Sequence, residues 1–266
     1  MPTLRSVTVG EFTVTYLPDG YVQLEPDAWF SLLPGHRTYS GREKMIGDDG
    51  FLTGSIGSLL ITGAGKSLLI DAGFGSRQLP AEQSHPALGA MHGGQLGSHG
   101  VLPDRLDAVA FTHLHEDHTG WLNSVTGPGA LLAATPKFAG VSELSAHPGK
   151  TGPQWTAISD GTQIIPGVTA LATPGHTRGH MSYLIESQTE QLLCFGDVMH
   201  SPVQVWQPEL NSCFEADPQE SLISRERVLN FLSESGAIGA GMHFGDVVFG
   251  RVGAGPDGER HWEPVS

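Results

Sequence analysis

Residues 112 to 120 run Thr112-His113-Leu114-His115-Glu116-Asp117-His118-Thr119-Gly120, which places His113, His115, Asp117 and His118 within six positions. The preceding Leu106 to Phe111 is a short apolar run, and its pattern predicts a buried strand of a sheet covered on both faces. Side chains two apart in extended backbone share a face, so His113 and His115 can hold one ion together. Asp117 and His118 begin the next turn and can serve a second ion. Imidazole with carboxylate suits zinc, iron, manganese or cobalt and leaves coordination positions open for chemistry. The bland alternative is a polar, solvated loop. A spacing of His-x-His-x-Asp-His between a strand and a Gly-Trp-Leu helix start argues against it.

Further landmarks follow in order. Val168 to Ala172 is another apolar run, and after it comes Thr173-Pro174-Gly175-His176-Thr177-Arg178-Gly179-His180. Leu192-Leu193-Cys194-Phe195-Gly196-Asp197 ends a strand-like run on an acid, and Ala240-Gly241-Met242-His243-Phe244 supplies a later histidine. Upstream, Ser58 to Ile70 with Asp71-Ala72-Gly73 has the form of paired strands and a turn. On these motifs the chain, over about residues 50 to 245, resembles the metallo-β-lactamase superfamily, nearest the methyl parathion hydrolase and quorum-quenching lactonase group.

The resemblance implies an α/β fold, a four-layer αβ/βα sandwich spanning residues 1–266 as one domain. It implies two divalent metal ions, foremost zinc. His113, His115 and His176 would hold the first, Asp117, His118 and His243 the second, with Asp197 between them. Water between two such cations becomes a nucleophile near neutral pH, so hydrolysis of a lactone, ester or phosphotriester is the expected chemistry. Asp117 is expected to be indispensable to turnover. Lactam-hydrolysing zinc members commonly carry cysteine where Asp197 stands, so a β-lactamase is disfavoured. Cys194, three residues earlier, reads as core. Many acyl-homoserine lactonases have tyrosine three residues past the bridging acid; here it is His200, a candidate to stabilise an oxyanion or protonate the leaving alkoxide. His180 reads as a brace by hydrogen bonding.

Phe51, Trp155, Trp206, Phe214 and Phe244 are the candidate substrate contacts, with Met242 beside them. Trp29 and Phe30 fall in a region that forms the entrance or a dimer contact in the resembled enzymes. His36, His85, His92, His99, His147 and His261 lie in Gly-, Pro- or Ser-rich segments and read as solvated loop residues, with the reservation that a loop holding His92 and His99 can reach the mouth of the site.

The chain has 266 residues, 39% of them hydrophobic, which is enough for a large core. Its formal charge of −14 argues against nucleic acid as partner. Two cysteines, Cys194 and Cys213, are too few for a disulfide framework. No leader-like start and no long apolar run is present, so the expectation is a cytoplasmic protein without membrane spans. A homodimer is expected by family analogy alone. Two other functional classes stay open: an iron-dependent dioxygenase with the same ligands, and a catalytically silent binding protein. A full set of seven ligand positions argues against the second.

Along the chain, Val7 to Tyr16 reads as one strand, Pro18-Asp19-Gly20 as a turn, and 21 to 50 as irregular. Residues 75 to 104 read as a long loop with a helical turn within 81 to 91. Leu131 to Ala134 reads as a strand, Lys137 to Ser145 as a short helix, and 147 to 157 as a cover over the cleft. Pro218 to Ser235 is the clearest helix: Asp217 caps it, Glu220 has capping-box spacing, Gly236 stops it, and Leu222, Ile223, Val228, Leu229, Phe231 and Leu232 form its apolar face.

Overall fold

Strand alternation assigns each apolar side chain to a layer. The computed structural model describes residues 2–32, 46–150, 152–255 and 258–265. Leu59, Ile61, Leu68 and Ile70 pack in one cluster with Val168, Ala170, Tyr183, Ile185, Leu192 and Cys194, which joins two sheets face to face. Their sequence neighbours Leu60 and Leu69 point the other way, to a cluster containing Phe111, Trp121, Leu132 and Leu144. Leu193 and Phe195 likewise pack outward against Val228, Leu229 and Leu232 of the long helix Pro218–Ser235. The product is the four-layer sandwich, helices outside and two sheets within.

Among the described residues the first sheet runs Trp155–Ile158, Lys137–Gly140, Ala108–Ala110, Lys66–Ile70, Leu52–Gly63, Phe12–Leu24, Leu88–His92 and Gln78–Leu79, with Arg5–Val9 on Phe12–Leu24. The second runs Gln163–Ile165, Val168–Ala172, Met181–Ser187, Glu190–Cys194, Ile238–Ala240, Phe249–Ala254 and Arg260–Pro264. Lys66–Ile70 is parallel to Ala108–Ala110, and Glu190–Cys194 to Ile238–Ala240. Two antiparallel steps separate Val168–Ala172 from Glu190–Cys194, so these also run the same way. The chain therefore leaves each of these strands at a shared end. Asp71, His113, His176, Asp197 and His243 all follow such a strand end.

Several local expectations are corrected. Val7 to Tyr16 is two strands, Arg5–Val9 and Phe12–Leu24, split at Gly10, whose φ of 55° belongs to a tight turn. Pro18-Asp19-Gly20 stays inside Phe12–Leu24 as a register irregularity. The reason is Asp19, a buried carboxylate that accepts from the backbone N–H groups of Phe74, Gly75, Gly94 and Leu96 and from Trp121 Nε1. Gly20 belongs beside it because a Cβ there would meet the His92 carbonyl at 1.7 Å. Residues 21 to 24 continue the strand, Pro26–Trp29 is a helical turn and Phe30–Leu32 pairs with Leu210–Ser212; His36 lies outside the described residues.

Leu131 to Ala134 belongs to a helix, Pro128–Ala134, started by Pro128 at its first turn with only Leu132 of that run fully buried. The expected helix over Lys137 to Ser145 is a strand, Lys137–Gly140, and then a helix, Val141–Ala146. Parallel pairing on both edges overrides the local helix preference there. Residues 81 to 91 give a 3-10 turn, Ala81–Gln83, and the start of a strand, Leu88–His92. In Pro218–Ser235, Asp217 caps the N–H groups of Gln219 and Glu220 and Gly236 has φ 65°, but the buried face is Ser221, Ser224, Arg225, Val228, Leu229 and Leu232. Ile223 is 55% exposed, and Arg225 takes a core position.

Candidate metal centre

Asp71 sets the start of the ligand segment. Its Oδ1 accepts from the Thr112 N–H at 2.8 Å and its Oδ2 from the Thr112 hydroxyl at 2.8 Å, and Oδ2 also lies 2.8 Å from His118 Nδ1. The backbone at Asp71 has φ 61°, a left-handed conformation that Asp tolerates better than most residues. Glu143 ties this segment to the next, accepting from the Leu114 N–H at 3.1 Å and the Gly179 N–H at 3.2 Å.

Two groups of donors result. His113, His115 and His176 bring one nitrogen each within 4.8 Å of one another, as do Asp117, His118 and His243 with a carboxylate oxygen and two nitrogens. Asp197 divides its oxygens between them. Oδ1 lies 3.2 Å from both His118 Nε2 and His243 Nε2, while Oδ2 lies 3.4 Å from His176 Nε2 and 3.8 Å from His113 Nε2. The Asp197 N–H donates to His180 Nε2 at 3.1 Å, and His180 Nδ1 meets the Thr173 hydroxyl at 2.9 Å, so His180 positions the acid.

These side chains fit divalent cations. His115 Nδ1 is 3.0 Å from His113 Nε2 and 3.1 Å from His176 Nε2, and one ring proton cannot satisfy three converging nitrogens. His118 Nε2 and Asp197 Oδ1 are buried with no hydrogen-bond partner, a costly state that a shared ion relieves. Burial holds His113 well below the usual imidazole range and His115 at about 4. Burial opposes ionisation of Asp197 as well, but His243, His118, His113 and His200 outweigh it and hold its carboxyl far down. Burial would depress His118, yet Asp197, Asp117 and Asp71 raise it above the usual value. Against burial, Asp197 likewise raises His243, and Glu215 with Asp197 raises His176, so an ion entering here displaces protons from these rings, the neutral imidazole being the form that ligates.

A cavity of about 590 Å³ opens onto both groups, with His115, Asp117, His176, Asp197 and His243 on its lining. Its apolar wall includes Trp29, Phe74, Met91 and Phe214. Of the five aromatic residues expected to contact substrate, only Phe214 is there. Trp155 packs against the Phe111 ring, centroids 5.3 Å apart, on the outer face of the first sheet, because it starts a strand and does not cover the cleft. Phe244 packs between Phe195 and Trp262 in the outer core, and Trp206 packs against the same cluster. Phe51 is half-buried and absent from the wall.

His85, His147 and Lys150 line the cavity: His85 is the exposed loop residue expected, set at the mouth against the Phe214 ring at 4.8 Å, whereas His147 is half-buried, which corrects its solvated-loop reading. His92 instead stacks on Tyr21 and His99 bonds the Pro18 carbonyl, and neither reaches the lining. His200 lies behind Asp197, its Nε2 3.2 Å from Oδ2 without hydrogen-bond alignment. It borders a cleft of about 90 Å³ that shares Leu24 and His243 with the main cavity. Cys194 is buried in the inter-sheet core, where burial pushes its thiol up. Sequence reasoning missed Glu215 and Arg225, because one acid near a helix cap and one arginine of Ser224-Arg225-Glu226-Arg227 look like ordinary solvated charges.

A family model described as the Metallo-beta-lactamase superfamily matches residues 54–234. An atrochrysone carboxyl ACP thioesterase of Aspergillus fumigatus is 34% identical over 152 residues, 56% of this chain and 41% of that protein. An N-acyl homoserine lactonase of Bacillus thuringiensis is 31% identical over 91 residues, 34% of this chain and 36% of its own length. The matches thus span less than half of these curated relatives. Among solved structures, the hydrolase AbOPH superposes with a TM-score of 0.78 at 19% identity, over 100% of this chain and 98% of its own. AidC, a dizinc quorum-quenching lactonase, superposes with a TM-score of 0.75 at 19% identity, covering 99% and 97%. At such identities the superpositions speak to fold. With the family match covering most of the sandwich and all the ligand-bearing loops except that of His243, the chain belongs to the metallo-β-lactamase superfamily.

Proposed function

We propose that this chain is a dinuclear metal-dependent hydrolase that opens a lactone or cleaves another carboxylic ester carrying an apolar acyl group. The observation that carries the reading is the division of Asp197 between two three-donor groups, one oxygen facing each, at the lining of an apolar cavity. Two divalent ions bound there, foremost zinc, would supply an acidified water and polarise the oxygen under attack. His113, His115 and His176 would hold one, Asp117, His118 and His243 the other, and Asp197 both.

The remaining steps fall to the chain itself. Trp29, Phe74, Met91 and Phe214 bind the acyl group and exclude water around it. Asp117, on the lining and partly exposed, marks the side from which substrate approaches. His200, behind Asp197 on the smaller cleft, would donate a proton to the leaving alkoxide. Phosphotriesters are a second substrate class, since the same arrangement serves attack on phosphorus. The lactonase and thioesterase names among the relatives support attack at an acyl carbon.

Elemental analysis of the purified chain, joined to a panel of acyl lactones, aryl esters, phosphotriesters and a cephalosporin, tests this. Two ions per chain with turnover of lactones or esters is expected. Oxygen uptake by an iron-loaded chain without hydrolysis would favour the oxygenase class, and full activity after exhaustive chelation would end the proposal.

A further inference from the structure

Behind His176 lies a buried ion pair that none of the hydrolytic steps above uses. Glu215 Oε2 is 3.2 Å from His176 Nδ1, and Glu215 Oε1 is 3.3 Å from an Arg225 guanidinium nitrogen; the side chains of Glu215 and Arg225 are fully buried. A carboxylate only accepts, so Nδ1 carries the proton and the Nε2 lone pair is left facing His115 Nδ1 and Asp197 Oδ2. The guanidinium reaches further. It donates to the carbonyl of Val198, next to Asp197, at 2.9 Å, to that of Leu210 at 2.7 Å, to that of Pro208, and to the Ser221 hydroxyl at 3.2 Å. One arginine on the long helix therefore holds the loop of Asp197 and, through Glu215, the ring of His176.

The second donor group is supported from elsewhere. His118 Nδ1 leans on Asp71 at 2.8 Å and His243 Nδ1 on the Ser55 carbonyl at 2.7 Å, both anchored in the first sheet. Neither contact involves Glu215 or Arg225. Accordingly we infer that Glu215, held by Arg225, is a positioning residue for the His113, His115 and His176 site and sets the affinity of that site independently of the other, whereas Arg225 also braces the loop of Asp197, which faces both. The inference rests on the dinuclear reading proposed above. A carboxylate behind a ligating imidazole raises its basicity and fixes its orientation, and removing such partners typically weakens metal binding by about 10- to 100-fold.

The test is stepwise metal retention. Protein purified with zinc is dialysed against chelators of graded strength, and the ions remaining per chain are counted, with cobalt(II) reloading as a spectroscopic check on which geometry survives. The unsubstituted chain should hold two ions. Glu215→Gln should lose one of them at a free-metal level about 10- to 100-fold higher and keep the other unchanged. Because a lone buried guanidinium can unfold the chain, the double variant Glu215→Gln with Arg225→Met removes both charges together. Its melting temperature will be lower, because Arg225→Met also takes the donor from the Val198, Pro208 and Leu210 carbonyls, but it should still shed one ion well before the other. Retention of both ions by the double variant at the unsubstituted level overturns the inference, as does simultaneous loss of both ions in step with a lowered melting temperature. An unsubstituted chain that holds fewer than two ions overturns the dinuclear reading itself, and the inference with it.

Discussion

Asp71 Oδ2 and His118 Nδ1 stand 2.8 Å apart across 47 positions of sequence, both buried, and Thr112 gives its N–H and hydroxyl to the same carboxylate. Asp71→Asn keeps the left-handed backbone but removes the charge that orients His118. Metal affinity should fall about 10- to 100-fold, measured by chelator competition. An affinity within twofold of the unsubstituted chain would show that the imidazole needs no such partner.

Asp19 gathers five N–H donors around one fully buried carboxylate. Asp19→Ala leaves those donors without an acceptor, and each unsatisfied buried group costs about 1 to 3 kcal/mol before water re-enters. Net destabilisation of more than about 4 kcal/mol is expected from urea unfolding, placing the substitution in the exceptional class. A loss below about 1 kcal/mol would mean that the loop bearing Phe74 is held by something else.

His200 offers a sharper division of roles. His200→Ala should lower lactone turnover about a hundredfold, the usual contribution of a proton donor, while two ions per chain are retained. Elemental analysis beside steady-state kinetics decides it. Loss of an ion with the activity would move His200 into the ligand set with His176 and Asp197, whose donor atoms it approaches.

Phe214 is half in solvent and half on the cavity wall, so shortening it costs little stability and removes acyl contact. Phe214→Ala should lower kcat/KM in a manner that grows with acyl length, reaching roughly tenfold for a long chain at about 0.8 kcal/mol per lost methylene contact. A uniform decrease from butanoyl to dodecanoyl would place the acyl group elsewhere.

The sandwich and the convergence of His113, His115, Asp117, His118, His176, Asp197 and His243 were legible because each sits where an apolar run ends, and runs with period two reveal their own faces. The cavity wall was not. Trp155 and Phe244 flank ligand motifs in sequence, but the strand that Trp155 starts and the turn that follows Ile238–Ala240 direct them to the outer layers, whereas Phe74 comes from a loop and Met91 from a strand, Leu88–His92, that carries no ligand. Pro18-Asp19-Gly20 misled for a related reason. Its composition is that of a turn, and only the donors arriving from residues 74 to 121 make a buried carboxylate in mid-strand affordable. Likewise Lys137–Gly140 is a strand because neighbours on both sides pair with it, a fact invisible in any local window.

Asp197 belongs to the second sheet, while the four donors from His113 to His118 follow a strand of the first. Any ion gripped by both sides acts as a rivet through the seam, so separating the sheets means surrendering the cargo. Scarcity of the element should accordingly shorten the lifetime of the whole molecule, and not merely silence it, since whatever binds only the assembled form adds to its resistance by mass action.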